Sequence, residues 1–261
     1  MDKSDWALIL GASSGFGGAT ALELARKGLN IFGVHLDTRA TLPNAQRVIA
    51  GIRETGQKAD FFNTNAADLA KRDQVLTKME ERLRDAGGTV RVLLHSLAFG
   101  TLKPFVAART EGAINASQLQ MTMEVMANSL IYWVQGLLER GLMGAGGRVF
   151  AMTSAGAHRV IANYGAVSAA KAALESHVRQ LALELAHLEI TVNAIRAGVT
   201  DTAASRRIPG YEDIARLASE RNPHKRMTTP EDVAQAIGIL CGKESHWMTG
   251  TVIGIDGGED I

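Results

Sequence analysis

Two residues of this chain have types and spacing suited to proton chemistry on a bound substrate. Tyr164 stands just before a long helical pattern that begins near Gly165, and Lys171 follows seven positions later. At about 100° per residue, seven residues return to nearly the same face of a helix, so both side chains look into one pocket. An ammonium near a phenol favours the phenolate and draws its pKa toward the working range, as a proton donor requires. Singly, such residues are usually a surface lysine and a half-buried tyrosine. A second constellation suits phosphate. Gly11-Ala12-Ser13-Ser14-Gly15-Phe16-Gly17 follows an apolar run and leads into the apolar-periodic helix Ala19 to Lys27. Glycines let the turn close and let backbone N–H groups, with the positive helix N-terminus, approach a pyrophosphate. The spacing is G-x3-G-x-G and not G-x-G-x-x-G. A tight turn alone would explain the glycines. Their place directly after the first strand makes a dinucleotide cradle the better reading.

The elements that must position these groups alternate regularly. Apolar runs rich in Val, Ile, Leu and Phe occupy Ala7 to Leu10, Asn30 to Leu36, Ala59 to Phe62, Val90 to Leu94, Arg148 to Met152, Ile190 to Ile195 and Thr251 to Ile255, with helical patterns between them. Runs apolar on both faces and joined by helices imply parallel strands. The expected fold is α/β, a Rossmann-type, doubly wound, parallel seven-stranded sheet with helices on both faces. No linker or composition shift divides the chain, so residues 1–261 are expected to form a single domain. Ligands of such a sheet sit beyond the carboxyl ends of the strands. This directs attention to Gly11 to Gly17, His35 to Arg39, Asn65, His95 to Phe99, Ser154, and Ala197 to Thr202.

Composition narrows the function classes. A net charge of +1 argues against nucleic acid or an anionic membrane as the main partner. Cys241 is the single cysteine, so an internal disulfide or cysteine metal cluster is not expected, and a reducing, cytoplasmic setting is. After Met1 to Asp5 only five apolar residues follow, too few for a signal peptide or a membrane span. His95 lacks a companion at ligand spacing and reads as a structural polar group; no metal is expected.

Over its whole length the chain resembles the short-chain dehydrogenase/reductase superfamily, in the G-x3-G-x-G loop, the tyrosine–lysine helix and the closing Thr249-Gly250…Asp256-Gly257-Gly258 segment. In most of that superfamily three residues separate the tyrosine from the lysine; here six do, and the three-spaced position is Ser168. The Y-x6-K spacing resembles the enoyl-acyl-carrier-protein reductases, which reduce the double bond of a fatty enoyl thioester. His95-Ser96-Leu97-Ala98-Phe99 in place of Asn-Asn-Ala-Gly, and Arg196-Ala197-Gly198-Val199 without the usual proline, agree with that branch. The best-known enoyl reductases carry a further tyrosine where this chain has Ser154, and a longer glycine loop. The combination here is more similar to their triclosan-tolerant, NADPH-dependent branch.

The resemblance implies roles position by position. Tyr164 would hold the thioester carbonyl as an enolate forms, with Ser154 as second donor. Lys171 would bind the nicotinamide ribose hydroxyls. Gly11, Ser13, Ser14, Gly15, Phe16 and Gly17 would cradle the pyrophosphate. Ala197, Gly198, the Val199 backbone and Thr202 would hold the carboxamide, Ser96 and Ala98 would contact the cofactor through their backbone, and Asn65 with Ala66 would meet the adenine. Asn128 matches an asparagine that in many relatives holds a helix kink and a proton-relay water; satisfying backbone within a helix is an equal alternative.

The cofactor signal is mixed. An acid about twenty positions after the loop usually accepts from a ribose 2′-hydroxyl, and a nearby arginine favours a 2′-phosphate. Aligned with relatives, the selecting positions fall on His35 and Leu36, with Asp37 and Arg39 close by. The guanidinium fork of Arg39 favours NADPH, with NADH as the alternative. Thr202 to Tyr211 should cover the substrate. Arg206, Arg207, Lys225 and Arg226 offer positive charge to an acyl carrier protein, or form an ordinary solvated basic surface. The apolar excess of the helices around Gln118 to Leu138 and Gly165 to His187 suits the homotetramers of relatives. The rival functions are a carbonyl or hydroxysteroid-type dehydrogenase and a non-catalytic dinucleotide sensor.

Overall fold

All seven apolar runs form strands, within two residues of the expected bounds. They are β1 (Trp6–Leu10), β2 (Asn30–His35), β3 (Ala59–Asn63), β4 (Val90–His95), β5 (Arg148–Thr153), β6 (Thr191–Ala197) and β7 (Val252–Ile255). The computed structural model describes residues 4–261; Met1 to Lys3 of the polar start lie outside the described residues. The sheet order is β3-β2-β1-β4-β5-β6-β7, and every neighbouring pair is parallel. The order reverses between β1 and β4, which opens a crevice at their carboxyl ends.

Period-two alternation builds two cores on one sheet. Trp6, Leu8 and Leu10 of β1 point into a cluster with α3 (Leu69–Ala86), α5 (Ser129–Glu139) and α6 (Gly165–Leu185). Ala7 and Ile9 point the other way, against α1 (Gly15–Arg26), α2 (Leu42–Glu54) and α8 (Pro230–Leu240). Both faces are covered, so β1, β2 and β5 are buried throughout. α7 (Tyr211–Arg221) lies beyond β6. Among the described residues no helix is long and apolar enough to cross a membrane.

Two helices depart from the sequence expectation in ways that matter for the site. α1 starts at Gly15 and not near Ala19: its N-cap Ser14 is extended and makes no side-chain cap, and the loop runs directly into the first turn. The stretch around Gln118 to Leu138 is not one α-helix. α4 (Ala116–Met123) opens with an Asn115–Gln118 capping box, then a π-helical turn spans Glu124–Asn128 before α5. There the Ser129 N–H reaches the Glu124 carbonyl, five residues back. Apolar periodicity averages over such a turn and does not reveal it.

Candidate active site

The glycine loop is built for close approach. A Cβ on Gly11, whose φ is +90°, would lie 2.3 Å from the Ser96 carbonyl oxygen across the β1/β4 crevice. One on Gly17 would lie 2.1 Å from the Gly11 oxygen. With no side chain capping α1, its first-turn N–H groups remain available to an anion. This cradle fits the pyrophosphate of a dinucleotide.

Beside it, beyond β4, β5 and β6, opens a cleft of about 240 Å³. The fold brings Phe16, Ser96, Ala98, Ser154, Tyr164, Lys171, Ala197, Gly198, Val199 and Thr202 to its walls. Thr202 stands over the loop, its methyl 3.6 Å from where a Gly15 Cβ would be, so the segment after β6 and the glycine loop face each other.

Tyr164 caps α6, and Asn163 before it takes the left-handed conformation at φ 60°. That residue turns the chain so that the phenol enters the cleft. Gly156 packs on the ring: a Cβ there would lie 2.7 Å from Tyr164 Cε1. Ser154 Oγ accepts from the Gly156 N–H at 3.1 Å. Burial raises the Tyr164 pKa, and the Ser154 hydroxyl acts against it. Lys171 is buried, and its Nζ donates to the Met152 carbonyl at 2.7 Å. Burial lowers its pKa to about 8, opposed by Glu175 one turn along α6. The direct lowering of the phenol by Lys171 expected from spacing is therefore not the arrangement observed. The ammonium is drawn to a carbonyl at the end of β5, and burial dominates the tyrosine. Glu175 is itself anchored, accepting from Thr153 Oγ1 at 2.7 Å.

Asn128 does not line this cleft. It lies in the π turn, so the expected kink is present, but its Nδ2 donates to Glu124 Oε1 at 2.8 Å and its Oδ1 is 3.2 Å from His177 Nε2. Its amide is engaged on both ends, unlike a free water-holding group. The Val199 N–H, expected to meet a carboxamide, donates to Glu259 Oε2 at 2.9 Å. Glu259 also lines the cleft, and burial raises its pKa. Nothing in the sequence pairs residues so far apart.

At the carboxyl end of β2, where the sequence places the adenosine, His35 and Asp37 form one unit, with Nδ1 and Oδ2 2.7 Å apart. The Asp37 backbone N–H is held by Asn63 Oδ1 at 2.9 Å. Burial pushes the Asp37 carboxyl up, but hydrogen bonds from Thr41, Ser13 of the glycine loop and His35 outweigh it and hold the group below the usual carboxylate range. Arg39 is exposed and forms no ion pair among the described residues. Asn65 turns its side chain to its own loop, accepting from the Ala67 N–H at 3.0 Å. The neighbouring Ala66 carbonyl accepts from Trp133 Nε1 of α5 at 2.9 Å.

The basic residues fall into paired and unpaired sets. Arg206 makes a bidentate pair with Asp201 at 2.6 and 2.7 Å, Arg226 pairs with Asp232 at 2.6 and 2.9 Å, and Lys225 holds the Glu220 carbonyl at 2.9 Å. Arg207 lines the cleft mouth and forms no ion pair among the described residues. Groups of three or more His, Cys, Asp or Glu able to hold a metal ion are absent among the described residues.

Comparison with known proteins gives concordant results. Residues 11–259 match the family model described as enoyl-(acyl carrier protein) reductase. The chain is 34% identical over 182 residues to an NADH-type enoyl-[acyl-carrier-protein] reductase of Synechocystis, covering 69% of this chain and 68% of the relative. It is 28% identical over 262 residues to 1-cyclohexenylcarbonyl-CoA reductase of Streptomyces collinus, covering 100% and 88% of the two chains. The crystal structure of the NADH-type enoyl reductase of Aquifex aeolicus superposes with a TM-score of 0.81 at 25% identity, over 98% of this chain and 96% of that one.

Proposed function

We propose that this chain, which belongs to the enoyl-(acyl carrier protein) reductase family of the short-chain dehydrogenases/reductases, reduces the carbon–carbon double bond of a trans-2-enoyl thioester. It would do so as one dinucleotide-binding and catalytic domain. The observation that carries the reading is the convergence of Tyr164, Ser154 and Lys171 on one mostly apolar cleft beside the glycine cradle. Bound there, a reduced nicotinamide supplies hydride for the β-carbon. The Tyr164 hydroxyl, kept protonated by burial, donates to the thioester carbonyl as negative charge moves onto its oxygen. Ser154 aligns that hydroxyl. A proton from solvent completes the α-carbon. Lys171 offers its ammonium to the ribose hydroxyls.

For the cofactor, the fold supports NADH over the NADPH expected from Arg39. His35 occupies the position aligned with the selecting aspartate, and it holds the Asp37 carboxylate 2.7 Å from its own ring. An ionised carboxylate beside Ser13 suits a 2′-hydroxyl and repels a 2′-phosphate. The NADH named for the Synechocystis and Aquifex relatives agrees. Placement in the triclosan-tolerant branch rests on the loop, Ser154 and Y-x6-K; the NADPH habit of that branch is what Asp37 opposes. An acyl carrier protein is the proposed donor of substrate, with Arg207 the cation offered at the cleft mouth, and a homotetramer remains the proposed assembly.

The test is reduction of crotonyl against acetoacetyl thioesters, on acyl carrier protein and on coenzyme A, with NADH and NADPH in parallel. Enoyl reduction with NADH is expected, and Tyr164→Phe should abolish it. Reduction of the ketone alone would establish the carbonyl-reductase alternative, and a clear NADPH preference would overturn the reading of Asp37.

A further inference from the structure

The relay position expected at Asn128 is engaged by Glu124 and His177, yet a buried acceptor near Lys171 lacks a protein partner. His95 closes β4 and is fully buried. Its Nε2 lies 2.8 Å from Ser129 Oγ, and that hydroxyl lies 2.9 Å from the Val125 carbonyl. A hydroxyl carries one proton. Both contacts are satisfied only when His95 Nε2–H donates to Ser129 and Ser129 donates to Val125. The tautomer is thereby assigned, and Nδ1 is left as a bare lone pair. Among the described residues this buried nitrogen has no hydrogen-bond partner. Burial, then the Lys171 charge, hold the imidazolium at about 3, so the ring stays neutral and Nδ1 stays an acceptor.

Register brings it close to Lys171. His95 pairs with Ala151 across β4 and β5, and Lys171 Nζ binds the carbonyl of the next residue, Met152. An ammonium has three N–H groups; one is on Met152, and the resemblance gives another to the cofactor ribose. The third has no assigned partner, and the Lys171 charge acts on His95, whose Nδ1 is an unused acceptor. Leaving such a nitrogen unpaired is costly, and one buried water with polar partners on both sides removes the cost.

We propose that His95 is a positioning residue of the nicotinamide site, whose Nδ1 shares one buried water with the Lys171 ammonium and so fixes the direction in which Lys171 presents its remaining N–H. This rests on the reading of Tyr164 and Lys171 as the reductase pair.

Two substitutions separate this role from a structural one. In His95→Asn an amide oxygen replaces Nδ1 and the Ser129 contact is lost; in His95→Gln the Ser129 contact is kept and the δ acceptor is lost. With the thioester that the wild type reduces, enoyl or keto, His95→Asn should keep kcat within about threefold of the wild type and keep its pH profile. His95→Gln should lower kcat about tenfold and shift the alkaline limb of that profile, with KM for the thioester unchanged. Any other order of the two overturns the proposal. A high-resolution crystal structure of the wild type should show an ordered water within hydrogen-bonding distance of both His95 Nδ1 and Lys171 Nζ, and a dry site overturns it irrespective of turnover. A wild type inactive on enoyl thioesters would sink the proposed reaction while leaving the crystallographic result to stand.

Discussion

Lys171 is the group whose charge the fold exposes most to pH. Burial brings its ammonium from an ordinary 10.5 to about 8, against the opposing pull of Glu175. The charged form predominates below that value and is lost as pH rises through it. At pH 7 about ten molecules in eleven carry the charge, and at pH 9 about one in eleven. Losing a charged hydrogen bond to the ribose costs about 1.5–3 kcal/mol, roughly 10- to 150-fold in binding, so the neutral form contributes little. Between pH 7 and 9, kcat/KM for the reduced cofactor, which reports groups of the free enzyme, should fall about five- to tenfold. Tyr164 is raised above its ordinary 10.0, so one group shapes this limb. Unfolding does not imitate the effect. The unfolded lysine binds its proton more tightly than the folded one, so between about pH 8 and 10.5 this residue makes the fold more stable as pH rises. Steady-state kinetics from pH 6 to 10 at constant ionic strength would measure the limb. Glu175→Gln, which removes the group that raises Lys171, should move it to lower pH. A flat profile to pH 10, or a limb that Glu175→Gln leaves in place, would refute the reasoning.

Substitutions at two further positions probe how Tyr164 is aimed. Gly156→Ala places a Cβ 2.7 Å from Tyr164 Cε1; displacement of the ring should lower kcat by roughly tenfold or more, with little change in the melting temperature, and an unimpaired variant would show that the packing is slack. Asn163 holds φ 60°, so Asn163→Gly should be nearly neutral in urea unfolding while Asn163→Val should cost about 1–2 kcal/mol; equal stabilities would contradict the left-handed turn.

The sheet was legible because its central strands are buried on both faces and read as apolar runs, and because helices fill every interval. The cradle was legible because its glycines are local. What escaped depends on contacts between distant positions. Periodicity does not count the extra residue of a π turn, so the partners of Asn128 were hidden. Asp37 and His35 are two apart in sequence, but only the fold shows that the carboxylate turns back to the ring Nδ1 and to Ser13. Glu259 reaches Val199 from the far end of the chain without a motif to announce it. The direction in which the Tyr164 pKa moves escaped for a related reason: spacing gives the common direction of Tyr164 and Lys171, while burial raises the phenol and the Met152 carbonyl holds the ammonium.

The π turn also sets the rotational phase of α5. Because the Ser129 N–H bonds five residues back, the chain beyond Asn128 lags an uninterrupted α-helix by one residue, about 100° of rotation. In that phase Ser129 meets His95 at the end of β4, and Trp133, one turn later, meets the Ala66 carbonyl beyond β3. A single helix thus sets the segments after β3 and β4 against each other, the two segments that the proposed dinucleotide would span. Deleting one residue within the turn would restore an unbroken ladder and swing both contacts away together, trading local regularity for the loss of alignment along the whole dinucleotide.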